Sequence, residues 1–290
     1  MPILFFRFFS CAVLLASLVV AAAQAACVWQ VKGERSTLYL AGSIHFLRSS
    51  DEIPAVYDRV YSESDLVVLE VEPHLLKTSG ATQVYFKEGQ CPKGRQIQHY
   101  LDAEINRLLE KRLQKSPHQA KRVRQMRPWM AAMALTVWEL QRLGAKPERG
   151  IDHVYYHQAR RDEKPTASLE SPLTHVKLLA SLSRQEQMVF LQQTLMTLDE
   201  TEIMFDELLQ AWQQGNEHIL AEWFVDISVE EFSIMDKILL QRNQNWIKPL
   251  ESYLQSDKVV MVIAGVGHMI GEGSLIDLFK KRGYNIRKLN

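Results

Sequence analysis

The sequence predicts an α/β protein whose central, mostly parallel sheet is built from both chain ends around a large helical middle insertion. Continuous apolar runs of strand length occur near both ends of the chain, as in strands buried on both faces of a parallel sheet. Between them, at about 97–255, apolar residues recur every three or four positions, which is typical of helices. A chain of 290 residues that is 47% hydrophobic can bury one sizeable core.

The first 25 residues are predicted to be a secretory signal peptide. They carry one early positive charge, Arg7, then a long apolar stretch and the small-residue pattern Ala23-Gln24-Ala25. Residues 26–290 then form the mature domain, which is expected to be exported to the periplasm or secreted, without a stable membrane span. An uncleaved anchor and a lipoprotein modified at Cys27 are the alternatives to this interpretation.

Two cysteines, Cys27 and Cys91, remain after the predicted cleavage. An exported chain with two cysteines favours one disulfide between them. The alternative is two unpaired thiols. Neither cysteine lies in a CxxC pair, which argues against a zinc site built on them.

The charge balance gives no support for nucleic acid as a partner. Lysine and arginine together number 34, and so do aspartate and glutamate. Without a basic excess, the sequence offers no argument for nucleic-acid binding.

The first elements follow from hydrophobic pattern and turn residues. A hairpin is predicted from 28–31 and 37–41, joined by a turn that contains Gly33. A short amphipathic helix at 54–64 and a buried strand at 65–71 follow, so the chain opens as β-β-α-β.

The helical middle and the closing elements follow from the same signals. Pro128 is suited to the first turn of a helix that ends near Gly144. The remaining predicted elements are a helix at 152–161, a strand at 165–169, helices over 172–254, a strand at 259–264, a helix at 274–281 and a strand at 284–289.

Two segments near opposite ends of the chain share one pattern, an apolar run followed by glycine and, three residues later, histidine. The first is Gly42-Ser43-Ile44-His45 and the second is Gly265-Val266-Gly267-His268. In open α/β sheets, ligands bind at the carboxyl ends of the strands. We therefore expect His45 and His268 to meet at one site.

Two glutamates also stand at predicted strand ends. Glu70 follows the run 66–69 and Glu170 follows the strand at 165–169, while Glu72 competes with Glu70 for the same role. Imidazoles and carboxylates together are a suitable ligand set for a divalent metal. Such a metal activates water, and a carboxylate beside it serves as general base. The assignment of these two roles between Glu70 and Glu170 stays open.

Other candidates have both a functional and a structural interpretation. Arg242 suits an oxyanion clamp or a solvated helix face. Asp152 is interpreted as a helix N-cap, and His153, His157 and His175 as surface or helix residues. The sequence contains no HExxH, Gly-x-Ser-x-Gly or phosphate-binding loop motif.

The ordered motifs resemble the TraB/PrgY/GumN family, which is related to the Tiki metalloproteases. The motifs include both GxxH segments, the stretch from Asp65 to Glu70, Pro128-Trp129, Gly150-Ile151-Asp152, Leu169-Glu170 and Arg242-Asn243. They span nearly the whole of residues 26–290.

The resemblance implies an erythromycin-esterase/ChaN-like fold and a metal-dependent hydrolase. Manganese or cobalt is the ion it suggests, and zinc is a further candidate. We expect His45, Glu70 and His268 to bind the metal, with Glu170 and Arg242 as catalytic residues and a peptide or small molecule as substrate. The alternative is a protein that binds a peptide or haem-like ligand without turnover. A homodimer is left open.

Overall fold

The structure, a computed structural model, describes residues 26–78, 80–223 and 228–290. The predicted signal peptide at 1–25 lies outside these residues. Six strands form one sheet: β1 (Val28–Lys32), β2 (Thr37–Ser43), β3 (Leu66–Leu69), β4 (Thr166–Ser168), β5 (Val260–Gly265) and β6 (Asn285–Lys288). The predicted α/β fold class and every predicted strand are confirmed.

The strand order is β4-β3-β5-β2-β1-β6. The four strands β4, β3, β5 and β2 are parallel, and β1 is antiparallel to both β2 and β6. The strands that precede the two histidines and the two glutamates are therefore neighbours, and their carboxyl ends share one edge. In the β2–β5 register, Ser43 lies opposite Gly265, so the two GxxH segments leave the sheet side by side.

Fourteen helices of the described residues surround and extend the sheet. They are α1 (Val56–Glu63), α2 (Pro73–Thr78), α3 (Ala81–Gly89), α4 (Ala103–Lys115), α5 (Pro117–Val123), α6 (Pro128–Arg142), α7 (Ile151–Arg161), α8 (Pro172–Ala180), α9 (Arg184–Thr197), α10 (Thr201–Gln213), α11 (Glu217–Glu222), α12 (Val229–Met235), α13 (Gln241–Leu254) and α14 (Leu275–Lys281). The helical part begins at Pro73, earlier than the predicted 97.

Local signals explain several helix boundaries. Ser171 caps α8 through its hydroxyl, and Pro172 occupies the first turn. Gly144 follows α6 with φ +83°, the left-handed conformation that glycine adopts at a helix end. One irregular turn lies beside the predicted site. This turn, Asp236–Leu240, directly precedes α13 and is a π-helix. Such turns are frequent at functional sites.

Three groups of buried side chains hold the fold together. The largest surrounds the sheet and includes Trp212 and Trp246. The second lies between α4, α6 and α9, where Leu109, Leu135 and Leu191 pack together. The third is a small cluster around Trp129. The helical insertion therefore carries cores of its own.

The predicted disulfide is not formed, and both cysteines are free. Cys27 lies in the core of the sheet, where burial raises the pKa of its thiol to about 12. The Cys91 thiol donates to the Met126 carbonyl oxygen at 3.1 Å, in the helical part. The two thiols belong to different parts of the fold. Among the described residues, no helix is both long and apolar enough to cross a membrane.

Below the first GxxH segment lies a buried hydrogen-bond network. The Tyr57 hydroxyl donates to the Gly42 carbonyl oxygen at 2.6 Å and accepts from the Trp212 indole N–H at 2.8 Å. The same indole N–H lies 2.8 Å from the Gly42 oxygen. All three groups are shielded from water, so the network fixes the end of β2 from beneath.

We expect Tyr57→Phe to lower the free energy of unfolding by about 1–3 kcal/mol, because it removes a hydroxyl that joins buried polar groups. Urea denaturation measures this change. Tyr85→Phe is the control, since Tyr85 packs its ring on Trp129 outside this network. Equal effects of the two substitutions would contradict the network's role.

Candidate metal centre

His45 stands at the solvent-facing side of the sheet edge, with 53% of its side chain exposed. Its Nδ1 lies 3.1 Å from Oδ1 of Asp152, and that same oxygen accepts from the Ser43 hydroxyl at 3.1 Å. Asp152 therefore orients the ring and leaves Nε2 as the nitrogen that points away. Histidines that bind metals characteristically have such a partner on the other ring nitrogen.

The Gly150-Ile151-Asp152 motif acts as a support for the first GxxH segment. The Ile151 N–H donates to the Ile44 carbonyl oxygen at 3.1 Å. A Cβ on Gly150 would lie 2.2 Å from the His45 carbonyl oxygen, so only glycine permits this approach. The predicted N-cap role of Asp152 is wrong, because Gly150 is the N-cap residue of α7 and Asp152 lies in its first turn.

His268 is held far more tightly than His45, with 2% of its side chain exposed. It lies in a short 3-10 turn after β5 and packs its ring on Trp246 at 4.5 Å between ring centroids. Its Nδ1 is 2.6 Å from Oδ1 of Asn243, whose amide nitrogen donates to the Gly273 carbonyl oxygen at 3.0 Å. This assignment makes Nδ1 the protonated nitrogen.

Glu70 directs its carboxylate between the two histidines. Oε1 accepts from the Gly265 N–H at 2.6 Å and lies 3.8 Å from His268 Nε2, while Oε2 accepts from Arg242. The competing Glu72 accepts instead from Thr166 and from Ser168 at 3.3 Å, which ties it to β4. Of these two glutamates, geometry therefore places Glu70 beside the histidines.

Glu170 and His175 form the other side of the site. His175 Nδ1, on α8, lies 3.0 Å from Oε1 of Glu170. Among the described residues, Glu70, Glu170 and His175 are the three whose donor atoms all lie within 4.8 Å of one another, a spacing that can hold a cation. Sequence reasoning missed His175, because it follows no strand and only the packing of α8 brings it to Glu170.

Arg242 lies at the centre and uses all five of its N–H donors inside the protein. Nε donates to Glu170 at 3.1 Å, and Nη2 donates to both Glu170, at 2.6 Å, and Glu70. Nη1 donates to the Ile238 carbonyl oxygen at 2.9 Å and to His268 Nε2 at 3.1 Å. In this arrangement no Arg242 donor is left for the predicted oxyanion.

The side chains of His45, Glu70 and His268 meet at Gly265. A Cβ built there would lie 3.3 Å from His45 Nε2, 3.4 Å from Glu70 Oε1 and 3.8 Å from His268 Cδ2. The missing side chain therefore leaves space between these three residues. The structure brings together all five residues predicted from the sequence, His45, Glu70, Glu170, Arg242 and His268.

The surroundings shift the pKa values of three titratable groups in the site. Burial would raise the pKa of Glu70, but its neighbours, led by His268 and Arg242, hold that pKa well below its usual range. Burial lowers the pKa of His268 to about 4, so its ring is neutral near pH 7. Desolvation would lower the pKa of His45, but Asp152 and then Glu70 outweigh it and raise that pKa to about 9.

The family of the chain follows from comparison with known proteins. The TraB/PrgY/gumN family profile matches residues 27–288, nearly all of the chain. The chain belongs to this family. The resemblance predicted from the ordered motifs is thereby confirmed.

Two curated relatives are similar over part of the chain. Both are described as uncharacterized protein YbaP, one from Escherichia coli strain K12 and one from Shigella flexneri. Each is 27% identical over 156 residues, which are 52% of this chain and 56% of the relative. The chain thus spans about half the length of the curated relatives it matches. No solved structure matches it.

We expect Gly150→Ala to destabilise the fold by about 1–3 kcal/mol, because the added methyl overlaps the main chain of His45 and forces it to shift. Thermal or urea unfolding measures the loss. Gly265→Ala is the control, since the three atoms nearest to its added methyl are side-chain atoms at 3.3–3.8 Å, which need to shift only slightly. A Gly150→Ala protein as stable as this control would contradict the close packing.

The pKa of His268 predicts a pH dependence of stability in metal-free protein. Above about pH 6.5, His268 is neutral in both the folded and the unfolded chain, so it does not lower the free energy of unfolding. As the pH falls from 6.5 towards about 4, the unfolded chain takes up a proton that the folded chain does not. This residue should therefore cost about 3 kcal/mol of stability across that window.

Urea unfolding at several pH values in EDTA measures the effect, with His268→Gln as the control. The variant lacks the titrating ring, so its stability should fall less across the same window. Parallel pH profiles for the two proteins would contradict a buried, neutral His268.

Proposed function

We propose that this protein is an exported, metal-dependent hydrolase that acts on peptides. The observation that carries the proposal is the convergence of His45 Nε2, Glu70 Oε1 and the His268 ring on Gly265. Each histidine has a separate oxygen partner on Nδ1, Asp152 for His45 and Asn243 for His268. Two imidazoles and a carboxylate with such support are a donor set that divalent metals bind.

The spacing of one donor pair, from Glu70 and His268, fits a metal. Glu70 Oε1 and His268 Nε2 are 3.8 Å apart, less than twice the metal–ligand distance of about 2.0–2.2 Å. His45, Glu70 and His268 would hold the ion, which is manganese, cobalt or zinc. When bound, such an ion supplies Lewis acidity for the activation of water.

The remaining side chains would perform the proton transfer and the positioning. Glu170 lies beside the same space and is the general-base candidate, with His175 and Arg242 as its partners. A general base needs a carboxylate that is ionised near neutral pH. Burial opposes this at Glu170, but hydrogen bonds from His175 and Arg242 lower its pKa below the ordinary value.

Solvent reaches this site on the side of His45. The imidazole of His45 is half-exposed, whereas His268 and Arg242 are buried. A peptide bond would therefore approach past His45, towards Glu70 and Glu170. Export rests on the predicted signal peptide, and detection of the mature N-terminus near residue 26 in the exported fraction tests it.

Calorimetric titration of the purified protein with Mn²⁺, Co²⁺ and Zn²⁺ tests the metal centre. The wild type should bind one ion, and Gly265→Ala should weaken binding by at least about tenfold, because its methyl enters the space between the donors. Because this substitution adds no overlap with the main chain, the variant should remain folded. Failure of all three ions to bind the wild type would contradict the proposal.

Cleavage of a peptide library by protein stripped with EDTA and reloaded with each ion tests the reaction. Reloaded wild type should cleave peptides, and His268→Gln should not. Binding of a peptide or haem-like ligand without turnover under every ion would instead identify a binding protein of the same fold.

A further inference from the structure

His268 Nε2 has one lone pair and two groups that need it. Nδ1 carries the ring proton, which it donates to Asn243, so Nε2 acts only as an acceptor. In the structure its lone pair accepts from Arg242 Nη1 at 3.1 Å. A metal ion on His268 would use the same lone pair. A hydrogen bond from Arg242 and a bond to a metal ion therefore exclude each other at His268 Nε2.

We propose that Arg242 competes with the metal for His268 Nε2, and that metal binding frees one Arg242 N–H for a substrate oxygen. This inference rests on the proposed function and concerns its regulation. Arg242 is then the residue that sets the affinity of the centre for cations. It is also the donor that becomes available only when the centre is loaded.

The other hydrogen bonds of Arg242 explain how it can lose its hydrogen bond to His268 and still stay in the site. Nε and Nη2 bind Glu170 and Glu70, and Nη1 also donates to the Ile238 carbonyl oxygen. Only one of five interactions has to break. The Ile238 oxygen belongs to the π-helix Asp236–Leu240, so an irregular turn, and not regular helix, supplies the anchor of Nη1.

Electrostatic repulsion adds to the competition between the Arg242 guanidinium and a metal ion. The guanidinium lies in direct contact with Glu70 and His268, two of the three proposed ligands. A divalent ion bound there meets a positive charge at short range inside a buried site, where solvent screens it weakly. Removal of the guanidinium therefore has two effects that favour the metal, a free lone pair and less repulsion.

The first experiment compares metal affinity in wild type and Arg242→Ala by calorimetric titration with Mn²⁺ and Zn²⁺. The variant should bind at least about tenfold tighter, because both effects act in the same direction. Arg112→Ala is the matched control, since Arg112 is a partly buried arginine that is also paired with a glutamate, Glu139, but lies in the helical insertion. Its metal affinity should equal that of the wild type.

Millimolar guanidinium ion provides a second readout that a general change in charge would not move. It should weaken metal binding to Arg242→Ala by refilling the vacated space, and leave the wild type unchanged. Equal metal affinities of wild type and Arg242→Ala would overturn the inference while leaving the proposed centre intact. Failure of both proteins to bind any ion would overturn the proposed function and this inference with it.

A measurement on the wild type covers the case in which Arg242→Ala does not fold. In protein labelled with ¹⁵N-histidine and ¹⁵N-arginine, Zn²⁺ should shift the Nε2 signal of His268. It should also speed hydrogen exchange at one Arg242 Nη group. A ligand shift at His268 with unchanged Arg242 signals would overturn the competition.

Discussion

The Arg242 guanidinium is the interaction on which the rest of the site depends. It lies buried between Glu70, Glu170 and His268, which arrive from three different strand ends. Buried carboxylates are costly unless they are paired and hydrogen-bonded. One guanidinium facing two carboxylates leaves the cluster with an excess of one negative charge. The pKa of His45 is raised mainly by Asp152 and in smaller part by Glu70 of this cluster, and a divalent cation would offset the same excess of negative charge.

The sheet makes this cluster possible, because it places four strand ends in adjacent positions. β4, β3, β5 and β2 are consecutive in the sheet although they come from distant parts of the chain. The register of Ser43 opposite Gly265 then brings the two GxxH segments side by side. A single GxxH segment would provide one imidazole at a strand end. The parallel pairing of β2 and β5 places two such imidazoles at the same edge of the sheet.

The strands and their end residues could be predicted, because buried parallel strands leave continuous apolar runs and the functional residue follows directly. Asp152, Asn243 and His175 could not be assigned roles this way. Each reaches the site from a helix, so its position depends on how α7, α13 and α8 pack against the sheet. The disulfide prediction was wrong for the same kind of reason, since cysteine count carries no information on which part of the fold holds each thiol.

The two histidines are equivalent in sequence pattern but not in environment, and this difference gives the site a direction. His268 is enclosed by Trp246, Asn243 and Arg242, whereas half of the His45 side chain faces solvent. A ligand therefore meets His45 first and the Arg242 cluster last. The buried side of the site thus holds His268, whose pKa is lowered, and the exposed side holds His45, whose pKa is raised. In the proposed metal centre, an ion would have to displace the Arg242 hydrogen bond at His268, while the raised pKa of His45 disfavours the unprotonated form that binds metals.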